Sequence, residues 1–280
     1  MKIIPSAWNN GVTVVNRVPM ELYLKGVVPS EIVPSWKPDA IKAQAVAART
    51  YAVYHKNGYR SAGYDITDDT RSQVYRGCSV ETSATNKAVE ETAGEIITYN
   101  GKAIDALFHA NGGGYTEDSE NVWGSYVPYL RGVKEESSST VNRPWHKIVS
   151  IDSFSNAISR AGYHVGKVKK IGLSRLRMGN NKAKDRGISG RVKTMEITGK
   201  SGRKIIPGEV IQSAFDLDST LFDISAKGNN LIITGYGFGH GLGLSQWGAE
   251  AMAEKNGDGK EYYKRILLHY FTGSKIEKIY

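Results

Sequence analysis

The side chain in this sequence best placed for acid–base chemistry is a glutamate set between prolines. Glu31 follows Val27-Val28-Pro29 and precedes Ile32-Val33-Pro34. A carboxyl among apolar residues has its pKa raised, because its charged form loses solvation. Held protonated near neutral pH, it is a general acid. Local composition reads equally well as an exposed glutamate in a proline-bounded loop. Lys42 and Arg49 follow, seven residues apart and so on one face of any helix that carries both. Two long cations there reach over a neighbouring site or, more commonly, run out to solvent.

Other residues tempt less. The six histidines, His55, His109, His146, His164, His240 and His269, fall into no H-E-x-x-H or comparable metal spacing. Taken singly, each is more often structural than catalytic. Cys78 is the only cysteine, which excludes an intramolecular disulfide and a multi-cysteine zinc site. Asn256-Gly257-Asp258-Gly259 echoes a calcium loop but lacks its spaced acidic ligands and terminal Glu, so it reads as a turn. Gly235, Gly237, Gly239, Gly241 and Gly243 alternate strictly around His240. This is neither a dinucleotide fingerprint nor a P-loop. It predicts an extended segment with one bare face, against which a saccharide ring or a packed helix lies flat.

The elements that would position these residues follow from pattern. Val12–Val15 reads as a strand. Pro19 opens a helical run over Met20–Val28, and Pro29 and Pro34 place Glu31 in a short constrained loop. Pro38 starts an Ala-rich helix reaching about Lys56, with Gly58 as its cap. Ser83–Ala93 reads as a further helix closed by Gly94. Glu95–Tyr99 and Lys102–His109 flank Asn100-Gly101, the strongest short hairpin signal. Asn111-Gly112-Gly113-Gly114 allows close approach of a ligand or of another backbone. Ser137-Ser138-Ser139-Thr140 reads as a linker. The stretch 136–220 reads as an inserted β-rich lobe, with a helix near Asp152–Ala161 and a strand over Arg191–Thr198. Leu231–Thr234 is β, and Leu244–Lys255 and Glu261–Tyr270 are helical. The expected fold is α+β: helices and short antiparallel sheets around a substrate groove.

The 280 residues suit one large domain or two intimate lobes, and a 40% hydrophobic content suffices for a core. Lys and Arg number 37 and Asp and Glu 28, a net charge of +9. That favours a polyanionic partner, either nucleic acid or the anionic polymers of a bacterial wall. No nucleic-acid-binding motif is present. Met1-Lys2-Ile3-Ile4-Pro5 lacks the apolar region of a signal peptide, so the chain is cytoplasmic or an export segment precedes it.

Several blocks, in order, carry a resemblance. Leu24-Lys25-Gly26-Val27-Val28-Pro29-Ser30-Glu31 through Lys42-Ala43-Gln44-Ala45-Val46-Ala47-Ala48-Arg49-Thr50-Tyr51 resembles the N-terminal motif of the stage II sporulation protein D (SpoIID/LytB) family. Gln73-Val74-Tyr75 with Gly77, Asn111–Thr116, Trp123-Gly124, Pro128-Tyr129-Leu130, Ser189-Gly190-Arg191-Val192 and Gly237–Ala249 are similar to its later blocks. The resemblance implies one catalytic domain over 1–280. The activity it implies is lytic transglycosylase cleavage between N-acetylmuramic acid and N-acetylglucosamine, favouring strands stripped of stem peptides. It implies Glu31 as the catalytic acid/base and Arg49 as the functional arginine that orients Glu31 or binds substrate. Lys42, Gln73, Tyr75, Gly113, His240, Gln246 and Trp247 are the substrate-binding residues it suggests. Glycan strands are the implied partner, a cell-wall amidase a further one, and nucleic acid none. The implied setting is extracytoplasmic, in the wall or between mother cell and forespore, with room for a membrane anchor in a preceding segment. The rival reading is a non-catalytic wall-binding enhancer of an amidase. Some relatives hold zinc through a His and cysteines before the Gln-x-Tyr motif. Here Gly63–Arg76 contains neither, so no cofactor or metal is expected, and something else must order that loop.

Overall fold

The structure, a computed structural model, describes residues 1–136, 143–179, 182–256 and 261–280. It is an α+β protein, as the sequence implies. In chain order the elements are β1 (Lys2–Pro5), β2 (Val12–Val15), α1 (Met20–Glu31), α2 (Pro38–Tyr54), α3 (Ser83–Glu91), β3 (Glu95–Tyr99), β4 (Lys102–Ala103), β5 (Phe108–His109) and α4 (Ser119–Trp123). There follow β6 (Trp145–Ser150), α5 (Ile151–Arg160), β7 (Val168–Gly172), β8 (Thr194–Gly199), β9 (Gly202–Pro207), α6 (Gly208–Phe215), β10 (Phe222–Lys227) and β11 (Asn230–Gly235). The last are β12 (Leu244–Ser245), α7 (Gln246–Asn256), α8 (Tyr262–Tyr270) and β13 (Lys275–Lys278). No described helix is long and apolar enough to cross a membrane. The Ser137–Thr140 linker and most of the Asn256–Gly259 turn lie outside the described residues.

The chain divides into two compact units, Met1–Leu107 with Met252–Tyr280, and Phe108–Ala251. The stretch 136–220 lies within the second.

The first unit is built around α2. Its alanines leave no side chain to hold neighbours off, and it is buried on nearly all sides, from Ala40 through Ala52. Leu24, Val27 and Val28 of α1, Val89 of α3, Ile96 and Ile97 of β3, and Ile266, Leu267 and Tyr270 of α8 are the buried apolar residues of its neighbours. Pro38 opens α2 at its first turn, where its missing N–H costs nothing. β3 sits between β4 and β13 in an antiparallel sheet. Asn100 and Gly101 both take positive φ, 52° and 72°, as the two-residue hairpin requires. The second arm of that hairpin ends at Ala103. Phe108–His109, expected to continue it, already belongs to the second unit and pairs there in parallel with β12.

One expectation about Glu31 changes. The residue is not in a loop but ends α1, which runs on through Pro29. A proline deletes one helical N–H and crowds the carbonyl four residues back. This one lies in the last turn, so the helix has only two residues left to lose. There the Gly26 carbonyl also accepts the Ser30 hydroxyl (3.0 Å) and the Arg76 amide (3.2 Å).

The second unit has two antiparallel three-stranded sheets, β10-β11-β6 and β7-β8-β9, and helices α5 and α6. Phe154 and Ile158 of α5, Ile211 and Phe215 of α6, Met195 and Ile197 of β8, and Phe222, Leu231 and Ile233 of β10 and β11 form one core. The rings of Phe154 and Phe215 stack at 4.9 Å. Ser150 caps α5 by accepting the Ser153 amide.

Arg49 ties the first unit together. It is fully buried, and its guanidinium makes a two-pronged pair with Glu21 of α1 (2.9 and 2.7 Å). It also donates to the carbonyls of Val89 (3.2 Å) and Glu95 (3.1 Å) and contacts Thr92. Truncating one partner of a buried pair strands the other's charge. Arg49→Ala should therefore lose about 3–5 kcal/mol of stability, read as a lower urea midpoint at unchanged slope.

Candidate active site

The first unit brings α2 and the loop carrying Gln73–Tyr75 to the end of α1 around Glu31. The carboxyl is half-buried, and its Oε1 accepts the Val74 amide at 2.8 Å. Burial pushes its pKa up, and the Val74 hydrogen bond only partly opposes this. Its place at a helix C-terminus, where the dipole disfavours negative charge, acts in the same direction. Oε1 is taken by the amide, which leaves Oε2 to carry a transferable proton.

Val74 is held in place by its neighbours. Gln73 is fully buried; its Oε1 accepts the Tyr23 hydroxyl (3.1 Å) and its Nε2 donates to the Ala48 carbonyl (3.2 Å). Tyr75 stacks on Tyr23 at 5.3 Å. The Tyr75 ring lies over Gly26, where an added Cβ would come within 2.6 Å of it. That is the local reason for a glycine inside α1. The preceding loop is ordered by its own side chains. Asp69 takes the Arg71 guanidinium in a fork at 2.8–3.0 Å, and Ser72 Oγ accepts the Thr67 amide at 3.2 Å. Among the described residues no three His, Cys, Asp or Glu side chains converge as a metal would need.

Tyr51 and Tyr23 are the residues near Glu31 that sequence reasoning missed. Burial, then Asp105, Tyr59 and Glu31, push the Tyr51 hydroxyl up to about 12. Burial and the Glu31 charge raise Tyr23 further. The signal was present: Lys42 and Arg49 point about 180–200° away from Tyr51 around the same helix. The face bearing Lys42 and Arg49 belongs to α3, β3 and α8, not to Glu31. Lys42 pairs with Glu91 at 2.6 Å and lies over the Tyr263 ring. Arg49, expected to orient Glu31 directly, spends its bonds on Glu21, Thr92 and two carbonyls, and none reaches Glu31. Gln73, expected to meet substrate, has no exposed surface and both polar ends bonded.

The remaining expected residues lie in the second unit. His240 Nδ1 accepts the Leu242 amide (3.0 Å), so its Nε2–H donates to the Phe108 carbonyl (3.2 Å), which fixes a neutral tautomer. Gly113 is buried against Leu221 and Gly237, and Gln246 is buried. Trp247 is 39% exposed, and its amide donates to the Ala110 carbonyl. The alternating glycines do not form a bare strand. Gly237, Gly239, Gly241 and Gly243 take positive φ of 67–98° and wind around a buried polar centre. A Cβ on Gly241 would collide with the guanidinium of Arg191. Arg191 is buried and donates to the carbonyls of Gly239 (3.2 Å) and Gly112 (3.3 Å). Burial pulls its pKa down to about 10, and Glu117 and Glu135 oppose this. Glu117 accepts the Ser189 hydroxyl at 2.6 Å and the amides of Ile188 and Ser189.

With this geometry in hand, comparison with known proteins is direct. The family profile described as Stage II sporulation protein matches residues 8–99, and one described as a domain of unknown function matches residues 131–243. The chain is 33% identical to Stage II sporulation protein D of Bacillus subtilis over 281 residues, 94% of this chain and 76% of that one. It is 36% identical over 271 residues to an uncharacterized protein of Brachyspira hyodysenteriae, 96% of this chain and 69% of that one. It is also 33% identical to the amidase enhancer of Bacillus subtilis over 292 residues, 90% of this chain but 40% of that protein. The chain belongs to the stage II sporulation protein D family.

Glu31 should leave a pH signature on stability. With its pKa raised in the fold, the unfolded chain ionises first as pH rises, so folding takes up a proton and stability falls through that window. Above it, burying the charge is a standing cost. Glu31→Gln keeps an acceptor for Val74 and removes the charge. It should melt higher than wild type at neutral pH, with the gap closing below about pH 4; an equal gap at both pH values would contradict the raised pKa.

Proposed function

We propose that this protein is a peptidoglycan lytic transglycosylase with Glu31 as its single acid/base. The observation that carries the reading is one half-buried carboxyl whose pKa is raised by burial and whose Oε1 is held by a backbone amide. Glycoside hydrolysis ordinarily needs two carboxyl groups. Intramolecular cleavage needs one.

In this mechanism Oε2 of protonated Glu31 gives its proton to the glycosidic oxygen as the bond to C1 of N-acetylmuramic acid breaks. N-acetylglucosamine leaves with that proton on its oxygen. The Glu31 carboxylate then takes the proton of the muramic sugar's own primary hydroxyl, whose oxygen closes onto C1. An anhydro ring forms, no water is consumed, and Glu31 is again protonated. The nucleophile is tethered, so proximity lowers the barrier. Val74 holds Oε1 throughout. Arg49 acts as a positioning residue, anchoring the helix that ends in Glu31. Tyr23 and Tyr51 keep the pocket around Glu31 low in dielectric. The substrate is glycan strands, preferably peptide-free, in an extracytoplasmic setting. The reading takes the whole chain as one catalytic domain, with 136–220 as an inserted lobe.

The relative named amidase enhancer favours a second reading, a wall-binding partner of an amidase without chemistry of its own. Mass spectrometry of products from peptide-free glycan separates the two. Wild type should yield anhydro-muramic ends and Glu31→Gln none. Reducing ends would mean hydrolysis, and strands bound but uncut would mean the enhancer.

A further inference from the structure

The positive charge of this chain is not spread over it. Residues 160–210 hold 14 of the 37 Lys and Arg and 3 of the 28 Asp and Glu, a net +11. The rest of the chain holds 23 and 25, a net −2. The whole basic excess therefore lies in one segment of the second unit, inside the stretch matched as a domain of unknown function.

The fold concentrates it further. Two of the arginines, Arg186 and Arg191, are buried and bonded internally. Six of the exposed cations, Lys167, Lys169, Lys170, Lys200, Arg203 and Lys204, gather at one end of the β7-β8-β9 sheet, around the Gly199–Gly202 turn. Lys170, Thr198 and Arg203 form one cross-strand row, and Lys204 follows on β9. The Lys200 amide donates to the Lys167 carbonyl, which brings those two residues together beside the same turn. The register of β7 shifts between Val168 and Lys170, so Lys169 is the extra residue of a bulge. Lys167 and Arg203 have ion-pair partners, Asp152 and Glu196. Lys169, Lys170, Lys200 and Lys204 are exposed and make no ion pair among the described residues.

Gathering like charges on one sheet is unfavourable unless something outside neutralises them. Lysine on an edge strand wards off unwanted pairing. That purpose accounts for one or two of these residues and not for Lys200, which sits on a turn. The cations are spread over two strands, β7 and β9, and the turn beside them, which suits an extended chain of charges and not a small ion. Among the described residues of 160–210 the exposed large apolar side chains are Met178 and Ile205 alone. There is no exposed aromatic to stack on bases and no apolar ring to enter a bilayer.

We infer that the basic end of the β7-β8-β9 sheet, around the Gly199–Gly202 turn, is a docking surface for a phosphodiester polymer of the bacterial envelope, which holds the protein on its substrate layer. The envelope setting rests on the proposed function; the charge geometry does not. The test uses fluorescently labelled poly(glycerol phosphate), with the full chain at near-physiological salt. Wild type should bind, more weakly as salt rises. The variant Lys169→Glu/Lys170→Glu/Lys200→Glu/Lys204→Glu should bind at least about tenfold more weakly with a shallower salt slope. A control with the same change in net charge, Lys2→Glu/Lys102→Glu/Lys227→Glu/Lys278→Glu, should stay close to wild type. Equal loss in both variants, or no binding by wild type, overturns the inference. So does tighter binding to single-stranded DNA or to phosphatidylglycerol vesicles. Glu31→Gln should bind the polymer as wild type does, so a failed cleavage assay leaves this result standing.

Discussion

The first unit depends on one buried ion pair. Arg49 has no exposed surface, and its charge is tolerable only because Glu21 meets it with both oxygens while Val89, Thr92 and Glu95 take the remaining N–H groups. Those partners lie on α1, at the end of α3 and at the start of β3. One side chain thus fixes three elements against α2. Glu21 is at the start of the helix that Glu31 ends, so the pair sets where the proposed acid stands without touching it. Burial alone would raise the Glu21 pKa, but the hydrogen bonds from Arg49, Tyr280 and the Gly94 amide outweigh this and hold it low. The pair therefore persists at neutral pH, and its stabilisation is lost only as acid protonates Glu21.

The second unit solves a similar problem with backbone. Arg191, Glu117, Glu135 and His109 are all buried. Much of their bonding is to main-chain groups near Gly112–Gly114 and Gly237–Gly241. Glycine recurs there because the chain must wind with positive φ close to a guanidinium. His109 is kept neutral by burial, with Nδ1 donating to the Leu242 carbonyl. The motif is thus largely the sequence of a polar core. Trp247 is partly exposed.

This explains what could be read from the sequence and what could not. Helix and strand positions were legible wherever local chemistry decides them: Pro38 at the start of α2, Asn100-Gly101 between β3 and β4, and the amphipathic run that became α5. The end of α1 was misplaced because Pro29 ordinarily stops a helix, and here it falls in the last turn. Glu31 was legible through its apolar neighbours. The roles of Arg49 and Gln73 were not, since a polar residue in a family block looks the same whether it meets a ligand or a carbonyl. Periodicity could separate Tyr51 from Arg49, but only once the face of α2 belonging to Glu31 was known. That face is set by Gln73, a contact 25 residues away in sequence.

The same contact fixes the end of the loop before Val74. Its surface fork, Asp69 with Arg71, is exposed and screened by salt, and such pairs contribute little. It shapes the loop but cannot fix one amide to within a hydrogen bond's tolerance. Gln73 can, because it is buried and bonded at both ends, to Tyr23 of α1 and Ala48 of α2. Breaking either bond would leave a buried amide group unpaired. Val74 is the next residue in the chain, so its N–H inherits that fixity. The oxygen of Glu31 it engages is thereby chosen by the core, and the other is left to hold the proton.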